Sequence, residues 1–309
     1  MAIIASNRCV NRVSPFNLND AQSYRAWRSA KLENYPHDTP QLIVNVSDIN
    51  HLSKTEHHAL VALCKKTNAA IYRSAVPLRT KDSLREVCAS FGLHQLDKNL
   101  YADDGGISAL QVSAEQRQFE YIPYSDKAIK WHSDGYYNQP EYKIRAMVLH
   151  CAQPAQTGGD NTLLDHEIVY LLMRDENPEY VAALMQPDAM TIPANIEQGI
   201  EIRPAQTGPV FSVDEASGDL HMRYTARTRS IEWKDDKMVT CAVQFLKHLL
   251  ASDLPYIHRI KLQANEGILS NNILHGRDKF ENGVSSGTQR LMYRARYYDR
   301  IAGTSINDH

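Results

Sequence analysis

The apolar positions of this chain follow helical spacing in some segments and strand alternation in others. Leu42 to Val46 is rich in β-branched residues and predicts a strand. Ser53 and Glu56 stand at capping-box spacing ahead of Leu60, Val61, Leu63 and Cys64, which predicts a helix over 54–66. Ala70 to Tyr72 predicts a short buried strand, and Leu84, Val87, Cys88 and Phe91 share one face of a helix over 81–91 that Gly92 would cap. A strand is predicted at 143–151. Two helices are predicted within 165–186, broken at Asn177-Pro178, and another at 236–251 with Met238, Ala242, Phe245, Leu246 and Leu249 on one side. The stretch 188–232 alternates irregularly among turn residues and predicts β structure with long loops. Alternation is clearest over 290–298, where Leu291, Tyr293, Ala295 and Tyr297 interleave with Arg290, Met292, Arg294, Arg296 and Tyr298. Residues 1–40 are polar, carry Pro15, Pro36 and Pro40, and read as an irregular arm wrapping a core.

Helices are grouped and strands dominate the second half, so the regular strand–helix alternation of a doubly wound sheet is excluded. No GxGxxG or Walker A motif is present. The pattern fits a mixed, β-dominated fold: an antiparallel, barrel-like core with flanking α-helices, in a single domain over residues 1–309 that ends on the 290–298 core strand.

Composition narrows the function. A hydrophobic share of 43% and a charged share of 23% suit a packed globular protein. A net charge of −2 carries no basic excess of the kind that marks a nucleic-acid or acidic-membrane partner. The five cysteines, Cys9, Cys64, Cys88, Cys151 and Cys241, form no CxxC pair and read as reduced thiols, so a cytoplasmic location is expected. No apolar run approaches the ~20 residues of a membrane span. A small-molecule substrate is the expected partner, and self-association into a homo-oligomer is left open.

The candidate chemistry begins at Trp131-His132-Ser133-Asp134. Residues two apart on a strand share a face, so His132 and Asp134 can ligate one ion. Alone the HxD triplet means little, because a chain with 13 histidines yields about one by chance. Its weight comes from an ordered set downstream: the turn Gly158-Gly159-Asp160-Asn161-Thr162, then His275 in Ile273-Leu274-His275-Gly276-Arg277, then Arg290 at the start of the last strand. Two histidines and a carboxylate on one face of an octahedral ion leave three positions open, which suits iron(II) better than structural zinc.

WHSD, GGDNTLLD, ILHGR and QRLMYRARYYD together resemble the taurine dioxygenase/γ-butyrobetaine hydroxylase superfamily of iron(II)- and 2-oxoglutarate-dependent oxygenases. The resemblance covers roughly residues 120–300. It implies a double-stranded β-helix, or jelly roll, with His132, Asp134 and His275 as iron ligands. It also implies that Thr162 contacts 2-oxoglutarate and that Arg290 grips its distal carboxylate. The implied reaction uses O2 to hydroxylate an unactivated C–H bond, releasing succinate and CO2. A buried carboxylate calls for a charged bidentate partner, which arginine supplies better than lysine. Arg294 lies roughly 13 Å further along the same strand face and cannot easily clamp that carboxylate too. It is expected nearer the metal, toward the C1 carboxylate or the substrate, and the resemblance gives its position a substrate-facing role.

Tyr121, Tyr124, Tyr136 and Tyr137 crowd the metal motif and are candidates for lining a substrate pocket. Aromatic residues would suit a quaternary ammonium group, Arg294 an anion, and a zwitterionic, amino-acid-like metabolite both. His150 reads as structural, His57-His58 and the Arg227–Arg229 loop as solvated. The competing readings are desaturation or cyclisation with the same cofactors, and a zinc hydrolase or cupin-like metal-binding protein.

Overall fold

The computed structural model describes residues 14–97, 106–112, 122–227, 231–283 and 289–308. Cys9, Tyr121 and Arg229 fall outside these residues, as does the start of the expected arm. Two antiparallel-dominated sheets form the core. The larger holds β1 (Ile43–Val46), β2 (Ala69–Ser74), β3 (Ser108–Leu110), β5 (Ala146–Gln153), β8 (Glu266–Ser270) and β10 (Leu291–Tyr297), in the spatial order β1-β2-β8-β5-β10-β3. Only the β1–β2 pair among them is parallel. The smaller holds β4 (Ile129–His132), β6 (Asn161–Leu164), β7 (His258–Ile260) and β9 (Leu274–Arg277), ordered β7-β6-β9-β4 and antiparallel throughout. Side chains of both sheets meet in one buried cluster that includes Leu149, Cys151, Leu163, Ile268 and Met292. This is a jelly roll, and its interior is the space between the sheets.

Helices cover the outer faces. α2 (Lys54–Thr67) and α3 (Ser83–Ser90) bury Leu60, Cys64, Leu84, Val87 and Cys88 against Ala70, Tyr72, Val148, Ala295 and Tyr297 of the larger sheet. The Ser53–Glu56 capping box starts α2 as the spacing predicts. α4 (His166–Glu176) and α5 (Pro178–Leu184) meet at the expected Asn177-Pro178 break. They pack with α6 (Lys237–Ala251), capped by Asp236, over Leu164 and Leu274 of the smaller sheet. Residues 188–232 form short ribbons, including Asn195–Glu197 with Ile200–Arg203 and Phe211–Val213 with Leu220–Met222. His150 is structural: it lies on the outer face of β5, where Tyr72 Oη and His150 Nδ1 are 2.8 Å apart. His57, expected in solvent, instead stacks on Phe91 with ring centroids 4.6 Å apart.

The expectation of an irregular arm over residues 1–40 is corrected by α1 (Ala21–Leu32), capped by Asp20. Its apolar contacts are few, Tyr24 and Trp27 foremost, so its periodicity is faint. What holds its end is ionic. Lys31 is buried, with Nζ 2.7 Å from Asp165 and 2.6 Å from Glu167. Burial alone would raise the Glu167 carboxyl, but Lys31 holds it down at about 2. Replacing Lys31 with methionine leaves two buried carboxylates without the cation that pairs them, and a loss of about 3–5 kcal/mol at neutral pH is expected by urea denaturation. The Glu167 contribution in the parent is full above the ordinary glutamate range and is lost as pH falls toward 2. In Lys31→Met the glutamate protonates more readily, so the gap between the two proteins should narrow in acid.

Candidate active site

β4 and β9 lie side by side with His132 directly opposite His275. Cross-strand partners share a face, and the two rings approach to 4.2 Å between centroids. Leu163 of β6 is the next partner of His275 and belongs to the cluster between the sheets, so both imidazoles face the interior. Each ring is oriented by its own strand. His132 Nδ1 lies 3.0 Å from the Lys130 carbonyl and His275 Nδ1 lies 2.9 Å from the Ile273 carbonyl. With Nδ1–H donating to the backbone, the Nε2 lone pairs are free for a metal.

Asp134 follows the end of β4 and completes the group: one ligand atom from each of His132, Asp134 and His275 lies within 4.8 Å of the others. Burial is the largest influence on His132 and, with His275 beside it, pushes its pKa down to about 3, so the ring is neutral as a ligand must be. Burial would raise the Asp134 carboxyl, but Arg294, Arg296 and the imidazoles hold it well below the usual carboxylate range. Its Oδ2 is buried and has no hydrogen-bond partner. An ionised, buried oxygen left without a donor is costly, and a divalent cation between the three residues satisfies it. The donor set therefore fits iron(II).

β10 carries the arginines into the interior. Arg294 Nη1 lies 3.3 Å from Asp134 Oδ1, at the metal end, as expected. Arg290, at the other end, is only 4% exposed. Among the described residues its guanidinium has no hydrogen-bond or ion-pair partner; it lies over the Phe280 ring at 5.0 Å. Burial lowers its pKa to about 10, which still leaves it charged at neutral pH. A buried cation without an anion marks a place for an anionic ligand.

Thr162 is not brought to this interior. Strand alternation gives that face to Asn161 and Leu163, whose partners are Arg277 and His275. Thr162 pairs with Gly276 and Arg259 on the opposite face, and its Oγ1 accepts a 3.4 Å hydrogen bond from the exposed Arg259. A one-residue displacement along a strand reverses the side, and Asn161 is the residue that this register turns inward.

Of the tyrosines, Tyr124 is buried in the cluster between the sheets. Tyr136 and Tyr137 pack edge to face at 5.1 Å. Tyr137 Oη accepts from Arg296 Nη1 at 3.0 Å, and Arg296 is also paired with the buried Asp97. Burial raises the Tyr136 hydroxyl pKa, and the charge of Arg227 opposes that rise. Arg227 is exposed, as expected of a solvated loop, and the Thr225 backbone bridges to that of His132. Sequence reasoning missed Arg296, Asp97, Asn161, Arg277 and Asn272. Arg296 and Arg277 had a signal, each standing two residues beyond a candidate, Arg294 and His275, on the same face, and Asn161 lay within the quoted turn motif.

Known proteins resemble this chain in sequence and in fold. The model of the family described as "Taurine catabolism dioxygenase TauD, TfdA family" matches residues 31–296. A uridine-5'-phosphate dioxygenase of Amycolatopsis sp is 30% identical over 174 residues, 54% of this chain; the chain spans 60% of that relative's length. An asparagine oxygenase solved with Fe(II), 2S,3S-3-hydroxyasparagine and succinate superimposes with a TM-score of 0.57 at 15% identity, covering 94% of this chain and 86% of that one. The non-heme iron oxygenase OrfP, solved with Fe, succinate and (3S)-hydroxy-L-Arg, gives 0.58 at 15% identity, covering 81% of each chain. The chain belongs to the TauD/TfdA family, dioxygenases that work with iron(II), 2-oxoglutarate and O2.

Proposed function

We propose that this chain forms one catalytic unit, an iron(II)- and 2-oxoglutarate-dependent dioxygenase that hydroxylates an unactivated C–H bond of a small polar metabolite bearing an anionic group. The observation that carries the reading is a buried Asp134 Oδ2 without a hydrogen-bond partner at the metal end and, at the other end of the interior, the buried residue Arg290, whose guanidinium has no hydrogen-bond or ion-pair partner among the described residues. His132, Asp134 and His275 would hold the iron, and Arg290 the C5 carboxylate of 2-oxoglutarate. Iron(II), when bound, supplies the activation of O2 that couples oxidation of 2-oxoglutarate to succinate and CO2 with insertion of one oxygen atom into the substrate C–H bond. The protein's part is positional. The Nδ1–H bonds fix the two imidazoles, the apolar cluster around Leu149 and Met292 excludes water, and Arg290 sets the register of the co-substrate. A zinc hydrolase reading leaves Arg290 buried with no task.

Asn161 supports the co-substrate reading from the strand beside His275, in the role first expected of Thr162. Thr162→Val should leave the KM for 2-oxoglutarate within about twofold, whereas Asn161→Leu should raise it, each read from succinate formation.

Arg294, Tyr136, Tyr137 and Arg227 suit the recognition of an anion and of an amino-acid-like body. The hydroxylated asparagine and arginine of the solved neighbours each carry a carboxylate. The 30% identity with a uridine-5'-phosphate dioxygenase favours a second reading, in which a nucleoside phosphate supplies the anion. A panel of amino acids, betaines and nucleoside monophosphates, scored by substrate-dependent succinate, separates the two. Product mass then distinguishes a gain of one oxygen atom from the loss of two hydrogens that desaturation or cyclisation would give. Activity confined to uncharged substrates would overturn the anionic assignment.

A further inference from the structure

The carboxylate ligand does not lie on a strand. β4 ends at His132, and Asp134 begins a loop that runs to Ile144 before β5. Side-chain contacts therefore have to replace ladder bonds. Asn272, three residues before His275, supplies three of them. Its Oδ1 accepts from the Asp134 N–H at 2.8 Å, and its Nδ2 donates to the Asp134 carbonyl at 2.9 Å. The same Nδ2 donates to the Ile144 carbonyl at 2.7 Å. One amide thus pairs with both backbone groups of Asp134, as a neighbouring strand would, and ties the far end of the loop to the same point. Asn272 is buried and takes a left-handed backbone with φ +52°, a conformation asparagine tolerates better than most residues. From the loop's other side, Gly135 has φ +69°, and a Cβ there would meet Ile144 Cγ1 at 2.5 Å. The Asp134 backbone is held from both sides while its Oδ2 stays without a donor.

We propose that Asn272 is a positioning residue for the carboxylate metal ligand, fixing Asp134 against the strand that carries His275, so that the spacing of the three donors depends on this amide. The inference rests on the iron-site reading above. Only a group that both donates and accepts meets the demand. An aspartate at 272 would set an acceptor against the Asp134 and Ile144 carbonyls, and glutamine is one methylene too long for the same pairing.

Fe(II) titration under anaerobic conditions, with 2-oxoglutarate added afterwards, tests this. The parent protein should bind Fe(II) and develop a visible charge-transfer band with 2-oxoglutarate. Asn272→Asp should weaken Fe(II) binding about 10- to 100-fold, the range for residues that orient metal ligands, and should shift or broaden the band at saturating metal. Asn272→Ala, which removes the bonds without adding repulsion, should show a smaller change in the same direction. Melting of the metal-free proteins and far-ultraviolet circular dichroism supply the structural control. Folded variants with the parent's Fe(II) affinity and band would overturn the proposal. Failure of both variants to fold would also overturn it, making Asn272 a determinant of folding instead. A parent protein that neither binds Fe(II) nor gives the band would sink the iron-site reading itself, a result distinct from either of these.

Discussion

Replacement of His275 by alanine should abolish turnover, with at least a thousandfold loss of succinate formation and no rescue by excess 2-oxoglutarate. His275 provides one of three ligand atoms within 4.8 Å of one another, and the other two, on His132 and Asp134, cannot define an octahedral face alone. The fold should survive. His275 is half-buried, its Nδ1 bonds only its own strand's Ile273 carbonyl, and its β9 neighbours are held by backbone ladders on both sides. The distinguishing measurement is metal content. Parent protein reconstituted anaerobically should retain about one Fe(II) after desalting, and His275→Ala should retain almost none, while the melting temperatures of the two metal-free proteins stay within a few degrees. Full activity in the variant would remove His275 from the ligand set.

Replacement of Arg290 has a different signature, because its charge is buried with no anion among the described residues. Truncating one partner of a buried, hydrogen-bonded charge pair costs about 2–4 kcal/mol, so Arg290→Met should weaken 2-oxoglutarate roughly 30- to 1000-fold. The same substitution removes an uncompensated buried cation from the free protein. The ligand-free variant should therefore melt no lower than the parent, and higher if methionine fills the space beside Phe280. Thermal shifts with and without 2-oxoglutarate expose both effects: the parent is raised by the co-substrate and Arg290→Met is not. Arg290→Lys should recover only part of the affinity, since an ammonium cannot offer two parallel N–H bonds to a carboxylate. A variant that is destabilised and still binds 2-oxoglutarate normally would assign Arg290 to the core.

Part of this site was legible because His132, His275 and Arg294 sit on regular strands. The alternation of β10 places Arg290, Met292, Arg294 and Arg296 on one face, and the register against β5 bears that out from Met292 to Arg296. The capping box of α2 and the Asn177-Pro178 break report local chemistry that needs no tertiary context. Three features were hidden for physical reasons. α1 packs through few apolar residues and a buried ion pair whose partners lie more than 130 positions away, so no local pattern marks it. Thr162 was placed by resemblance, and a strand's two-residue period turns a one-residue misplacement into the wrong face. Asp97 and Asn272 act through contacts across 199 and 138 positions of chain, and nothing next to them in sequence reports such a partner. Among the described residues no helix is long and apolar enough to cross a membrane.

The most direct measurement is the anaerobic addition of Fe(II) and then 2-oxoglutarate to the metal-free protein, followed by absorbance in the visible. The expected result is a weak charge-transfer band that needs both components, saturates at one equivalent of each, is lost in His275→Ala and is weakened in Arg290→Met. A protein that takes up zinc at the same three residues, gives no band with Fe(II) and 2-oxoglutarate, and forms no succinate in air would contradict the assignment.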